Sequence, residues 1–171
     1  KQAVIPYLDD LTESARLIGA VNTVLHQDGL LIGHNTDGIG FFKSLETLRA
    51  FHVRNKRLTI LGGGGASTAI IAQAAIDGAK EITIFCRPQS VERTVVTVQT
   101  IAQSTGVSLQ VLPNNDSQLL AEHINNSDLL INGTSVGLDG TSLPLPATIR
   151  FPDELLVADV IYQPIETSLL K

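Results

Sequence analysis

Leu58-Thr59-Ile60-Leu61-Gly62-Gly63-Gly64-Gly65-Ala66-Ser67, running on through Ala69 to Ile76, decides the fold. Residues 58–61 read as a short apolar strand, the four glycines as a turn, and Ala66 to Ile76 as a strong helix former that Asp77-Gly78 ends. Moving outward, Ile82-Thr83-Ile84-Phe85-Cys86 is a second strand and residues 90–104 a helix. Val107 to Leu112 is a third strand, 117–124 a helix, Leu129 to Ile131 a fourth strand and Leu155 to Ala158 a fifth. Strands alternating with helices at this spacing predict a parallel, doubly wound α/β sheet with helices on both faces. The strands are apolar without alternation, as strands buried on both sides are.

The glycine run fits G-x-G-x-x-G, with Ser67 at the third glycine position. In that pattern Gly62 allows the tight turn, Gly64 lets backbone approach a pyrophosphate, and Ser67 needs only to be small. The helix N-terminus adds unpaired N–H groups and partial positive charge. Gly62, Gly63, Gly64, Gly65, Ala66 and Ser67 are therefore candidate cofactor-binding residues, against the alternative of a glycine turn with no ligand. No Gly-Lys-Ser/Thr follows, so this is not a Walker A loop. NAD sites place an acid at the tip of the second strand; here the run is Phe85-Cys86-Arg87-Pro88-Gln89-Ser90, with Arg93 further on. Arg87 can pair with a 2′-phosphate, which points to NADP. An exposed arginine with no ligand is the alternative, and nearby Glu92 leaves NAD open as well.

Upstream the texture differs. Residues 49–56, with Arg49, His52, Arg54, Asn55 and Lys56, form a polar break, which divides the chain into residues 1–50 and a dinucleotide-binding domain of residues 51–171. Leu8, Leu11, Ala15 and Ile18 predict a helix over 9–18, stopped at Gly19. Val21 to Leu25 and Leu30 to Gly33 flank Asp28-Gly29 and predict a β-hairpin. Asn35-Thr36-Asp37-Gly38 then supplies a turn before a helix from about Ile39 to Leu48. Asn22 can donate and accept toward a hydroxylated substrate, and Asp37 can accept from hydroxyls or hold an ammonium. Read alone, they are equally a turn residue and a helix cap.

Taken together, these runs resemble the shikimate dehydrogenase family, including its quinate/shikimate branch. Gly19-Ala20-Val21-Asn22-Thr23 is similar to its G-A-V-N-T run and Asn35-Thr36-Asp37-Gly38 to its N-T-D-G run. The glycine loop is similar to G-A-G-G-A-S/A, with Gly63 for the usual Ala. Asn132-Gly133-Thr134-Ser135-Val136-Gly137 is similar to the N-A-T-S-x-G loop beside the nicotinamide. Asp159 to Pro164, with Thr167, Leu169 and Leu170, is similar to D-x-x-Y-x-P-x-x-T-x-L-L. The resemblance covers essentially the whole chain and implies a Rossmann-type sheet beside the remnant of an N-terminal substrate-binding domain. It implies reversible reduction of 3-dehydroshikimate to shikimate with NADP. Lys1 and Asp37 become the catalytic dyad; Asn22, Asp37 and Tyr162 contact substrate; Thr134 and Val160 join the cofactor residues. Lys1 takes its place by its spacing from Asn22, against the alternative of a surface lysine. The family's early Ser-x-Ser pair and late Gln have no counterpart here, and Arg87-Pro88-Gln89 departs from its N-R-T run. Quinate/shikimate dehydrogenation with NAD or NADP is the nearest rival, and a non-catalytic dinucleotide-binding module is a rival of another class.

Composition limits the partners. The 171 residues are 43% hydrophobic and 17% charged, enough for a buried core. With 12 Lys+Arg against 17 Asp+Glu and 4% aromatics, neither a nucleic-acid groove nor an anionic membrane surface is a fitting partner. One cysteine, Cys86, and histidines 26, 34, 52 and 123 without ligand spacing predict no disulfide framework and no metal site. The chain contains no Met and runs from Lys1 to Lys171, which reads as a piece of a longer protein. A small-molecule substrate, a homodimer and a cytoplasmic location complete the expectations.

Overall fold

The computed structural model describes all residues, 1–171. The N-terminal part contains β1 (Asp10–Leu11), α1 (Glu13–Ile18), β2 (Thr23–Gln27), β3 (Leu30–His34) and α2 (Asp37–Arg49). These strands form a three-stranded sheet in the order β1-β3-β2. The β2-β3 hairpin is present as the sequence predicts; Asp28 and Gly29 both have positive φ, as a two-residue turn of matching twist requires.

The helix expected over 9–18 is half wrong. Asp10 and Leu11 are extended and pair in parallel with Ile32 and Gly33, and the helix begins only at Glu13. Leu8 and Leu11 are half-buried, and they reach their apolar contacts from extended backbone: both crowd the face of Gly33, where a Cβ would come within 2.6 and 2.7 Å of them. Apolar spacing over so short a stretch cannot separate these two routes to burial. Pairing with β3 wins because it satisfies backbone groups, such as Asp9 N–H to Leu31 O at 2.9 Å, that a nascent helix leaves open.

The remaining chain forms β4 (Arg57–Leu61), α3 (Gly65–Ile76), β5 (Glu81–Cys86), α4 (Val91–Thr105), β6 (Ser108–Pro113), α5 (Ser117–Asn125), β7 (Leu129–Asn132) and β8 (Leu156–Asp159). The five strands are parallel, in the order β6-β5-β4-β7-β8. On one face Leu58, Ile60, Ile82, Ile84 and Ile131 pack with α3, α4 and Phe42 and Leu45 of α2. On the other, Leu61, Phe85 and Leu130 pack with Leu120 and Ile124 of α5 and with Leu145 and Leu169. The fold is therefore α/β, a Rossmann-type sheet covered on both sides. Helix α3 is buried nearly all round because it lies between this sheet and α2. At that crossing Gly38 is obligatory: a Cβ there would lie 2.3 Å from Ala69 O. The polar break after α2 is anchored, with Val53 buried and Asn55 N–H bonded to Gly78 O at 2.8 Å.

Candidate active site

The sheet reverses strand order between β4 and β7, and the loops leaving their C-terminal ends open a crevice there. Gly62 has φ +96°, and its N–H donates to Phe85 O at 2.7 Å, so the chain turns sharply as it leaves β4. A Cβ on Gly62 would meet Thr134 Cγ2 at 2.8 Å, and one on Gly63 would meet Thr94 Oγ1 at 2.4 Å. Gly64 and Gly65 face open space instead, which leaves room for a ligand against backbone at the start of α3. Ser67 is fully buried and donates to Gly133 O at 3.2 Å, so its small side chain seats α3 against the loop after β7.

Two clefts meet at this loop. One, of about 350 Å³, is lined by Gly62, Gly63 and Gly64 with Cys86, Arg87, Ser90, Arg93, Asn114 and Thr134. Arg87 and Arg93 are both exposed there and no carboxylate lines the cleft, an arrangement suited to a phosphorylated ribose. Arg93, in the first turn of α4, thus joins Arg87, the cation that the sequence places at the tip of the second strand. The other cleft, of about 720 Å³, is lined by Gly64, Gly65, Ala66, Thr134, Leu138, Val160, Tyr162 and Gln163 among others. The glycine cradle, the open backbone at Gly64 and Gly65 and the paired arginines fit a dinucleotide carrying a 2′-phosphate.

Lys1, Asn22 and Asp37 converge although their elements are distant in sequence. Lys1 Nζ donates to Asp37 Oδ2 at 2.6 Å, and Asn22 Nδ2 donates to Asp37 Oδ1 at 2.7 Å. Asn22 Oδ1 accepts from Thr36 N–H at 3.1 Å and from the hydroxyls of Thr23 and Thr36 at 3.0 and 3.2 Å. Val21 N–H to Lys1 O and Asn22 N–H to His34 O, both at 3.0 Å, fix the backbone beneath them. Asn35, 2% exposed, braces the turn by donating to Ala20 O and accepting from Asp37 N–H. Asp37 is thus not a side-chain cap of α2; its two carboxylate oxygens accept from Lys1 and Asn22. The side chains of Lys1 and Asp37 remain 56% and 41% exposed, open to an incoming molecule. Gly38, next to Asp37 in the chain, packs on Ala69, one turn into α3, the helix that the glycine loop opens. Tyr162, 86% exposed, sits on the second cleft and makes no hydrogen bond to the cluster.

No protein-family model matches the chain. Against curated proteins, it is 79% identical over all 171 residues to a shikimate dehydrogenase (NADP(+)) of Streptococcus suis, spanning 59% of that protein's length. Among solved structures, shikimate 5-dehydrogenase of Listeria monocytogenes, in complex with shikimate and NAD, matches with TM-score 0.92 and 40% identity over 99% of this chain and 60% of that one. A 5-ketofructose reductase of Gluconobacter matches with TM-score 0.85 and 39% identity over 99% of this chain and 59% of that one. The chain thus spans about three fifths of the length of the relatives it matches. Identity at this level, over every residue and on the same backbone, places the chain in the shikimate dehydrogenase family.

Proposed function

We propose that the full-length protein reversibly reduces 3-dehydroshikimate to shikimate with NADP. The observation that carries this reading is the Lys1–Asp37–Asn22 cluster, held at 2.6 and 2.7 Å where α2 packs on α3, the helix that the glycine loop opens. When bound, NADPH would supply the hydride for reduction and NADP⁺ would accept it in the reverse direction. The chain supplies alignment and proton transfer. Lys1 Nζ, kept oriented by Asp37, donates a proton to the developing alkoxide on reduction and receives it back on oxidation. Asn22 holds the Asp37 carboxylate in place, and both offer groups to the ring hydroxyls. Tyr162 adds a hydroxyl from the side of the second cleft. Gly62 to Ser67 cradle the phosphates, Thr134 and Val160 line the reacting end, and Arg87 with Arg93 faces the 2′-phosphate.

In this reading residues 1–50 belong to a substrate-binding domain and 51–171 to the dinucleotide-binding domain; the two separate sheets support that division. The packing of Phe42 and Leu45 of α2 into the larger core makes α2 the joint between them. The reading extends to a cytoplasmic homodimer acting on a small polar molecule. It is tested by Lys1→Ala in the full-length protein. Turnover of shikimate should fall by about 10²–10⁴-fold, the share of a positioned proton donor, with NADP affinity unchanged. Wild-type turnover in that variant would overturn the assignment.

A further inference from the structure

The loop after β7 and the loop after β8 form two walls of the second cleft, and one carboxylate joins them. Asp159, at the end of β8, accepts from Asn132 Nδ2 at 3.0 and 3.1 Å, from Ile161 N–H at 3.0 Å and from the Thr167 hydroxyl at 2.8 Å. Asn132 and Thr167 are fully buried. A carboxylate only accepts, so Asn132 must turn its NH₂ toward Asp159. Its Oδ1 is thereby left for Thr134, and accepts from both Thr134 N–H at 3.1 Å and the Thr134 hydroxyl at 2.7 Å. Thr134 Oγ1 in turn accepts from Val136 N–H at 3.1 Å. This fixes the Thr134 rotamer and places its methyl against Gly62, whose Cβ would meet it at 2.8 Å. A chain of hydrogen bonds therefore leads from Thr167 through Asp159 and Asn132 to Thr134, whose methyl packs on the first turn of the glycine loop. The Ile161 N–H bond to the same carboxylate sets Val160 and Tyr162 on the opposite wall.

We propose that Asp159, braced by Thr167, is the positioning residue for the reacting end of the dinucleotide cleft, acting through the amide orientation of Asn132. The inference rests on the dinucleotide reading of that cleft. Its mark is selectivity along the ligand. Loss of the clamp should disturb the end lined by Val160 and Tyr162, which adjoins Thr134 at the junction of the two clefts, and spare the end lined by Arg87, Ser90, Arg93 and Asn114.

The test uses Asp159→Asn, Thr167→Val and Thr167→Ser in the full-length protein. Affinities for NADP and for adenosine 2′,5′-bisphosphate, which lacks the nicotinamide half, are measured by calorimetry; hydrogen exchange follows the amides of Thr134, Val136 and Ile161. Asp159→Asn and Thr167→Val should weaken NADP by about tenfold or more, the scale of one charge-assisted hydrogen bond, and leave the bisphosphate unchanged. Both should speed exchange at the three amides, and Thr167→Ser, which keeps the hydroxyl, should behave as wild type. Equal weakening of both ligands would make the network a general structural tie and overturn the proposal; so would unchanged NADP affinity and exchange in Thr167→Val. Failure of the wild-type protein to bind either compound would overturn the dinucleotide reading itself, and with it the inference.

Discussion

Gly63 stands where the family pattern has alanine, and the structure gives a steric reason that can be measured. Gly63 does not have positive φ, so its backbone accepts any L-residue. What excludes a methyl group is Thr94, 1% exposed on α4: a Cβ at position 63 would lie 2.4 Å from its Oγ1, 2.6 Å from its Cγ2 and 3.1 Å from its Cβ. Gly63→Ala should therefore cost about 1–3 kcal/mol, the usual penalty for overpacking a filled site. Thr94→Ala loses the hydroxyl bond to Ser90 O, 2.8 Å long, and should cost about 0.5–1.5 kcal/mol for that bond, plus the lost methyl contact. Combined, the two changes should not add. Removing Oγ1 and Cγ2 takes away the two nearest of the three closest atoms and leaves the 3.1 Å contact with Cβ, which a shift of a few tenths of an ångström relieves. The double variant should recover about 1–2 kcal/mol relative to the sum of the singles, within the range of coupling for touching residues. Urea unfolding of the four proteins at constant m-value measures this coupling. Because Thr94 also holds the Ser90 turn of the arginine-bearing cleft, NADP affinity should follow the same pattern. Additivity to within about 0.5 kcal/mol would refute the steric account.

Three further outcomes follow from the site. Arg87→Ala should weaken NADP by about ten- to a hundred-fold and leave NAD nearly unchanged, with Arg93→Ala adding to the loss; equal loss for both cofactors in a calorimetric titration would remove the 2′-phosphate assignment. Asp37→Asn in the full-length protein should lower turnover and also raise the Michaelis constant for shikimate, because Asp37 orients Lys1 and offers its oxygens to the ring; loss of turnover alone would confine it to the first role. The Asp139 carboxyl is lowered to about 2 by the Ser142 hydroxyl, then by the N–H groups of Ser142 and Thr141. A group with a depressed folded pKa contributes stability above its ordinary value of 3.8 and loses it as pH falls through about 2. The 139–142 turn should thus loosen across that window, and Ser142→Ala should raise the Asp139 pKa in an NMR titration; an unmoved pKa would refute the hydroxyl's part.

The sheet was legible because its strands carry their own signal. Leu58-Thr59-Ile60-Leu61, Ile82 to Cys86 and Leu129 to Ile131 are short apolar runs that only a strand buried on both faces explains, and each is followed by a recognisable turn. The segment 9–18 was not legible, because Leu8 and Leu11 pack over Gly33 of β3, a partner that no local pattern names. Asp37 carried two readings until Lys1 and Asn22 were seen on its two oxygens. Arg93 reaches the cleft from the first turns of α4 while Arg87 reaches it from the tip of β5, and their convergence is a product of helix placement alone. The Asp159 clamp was equally hidden. Asn132 ends β7, Asp159 ends β8 and Thr167 lies in the segment that follows, and nothing in their spacing says that one carboxylate orders them.

The central claim is tested most directly by steady-state oxidation of shikimate and of quinate by the full-length protein, each with NADP and with NAD. The account predicts that shikimate with NADP has the highest kcat/KM of the four pairs, and that Lys1→Ala abolishes most of it. A preference for quinate, a preference for NAD, or no oxidation of shikimate with either cofactor would contradict it.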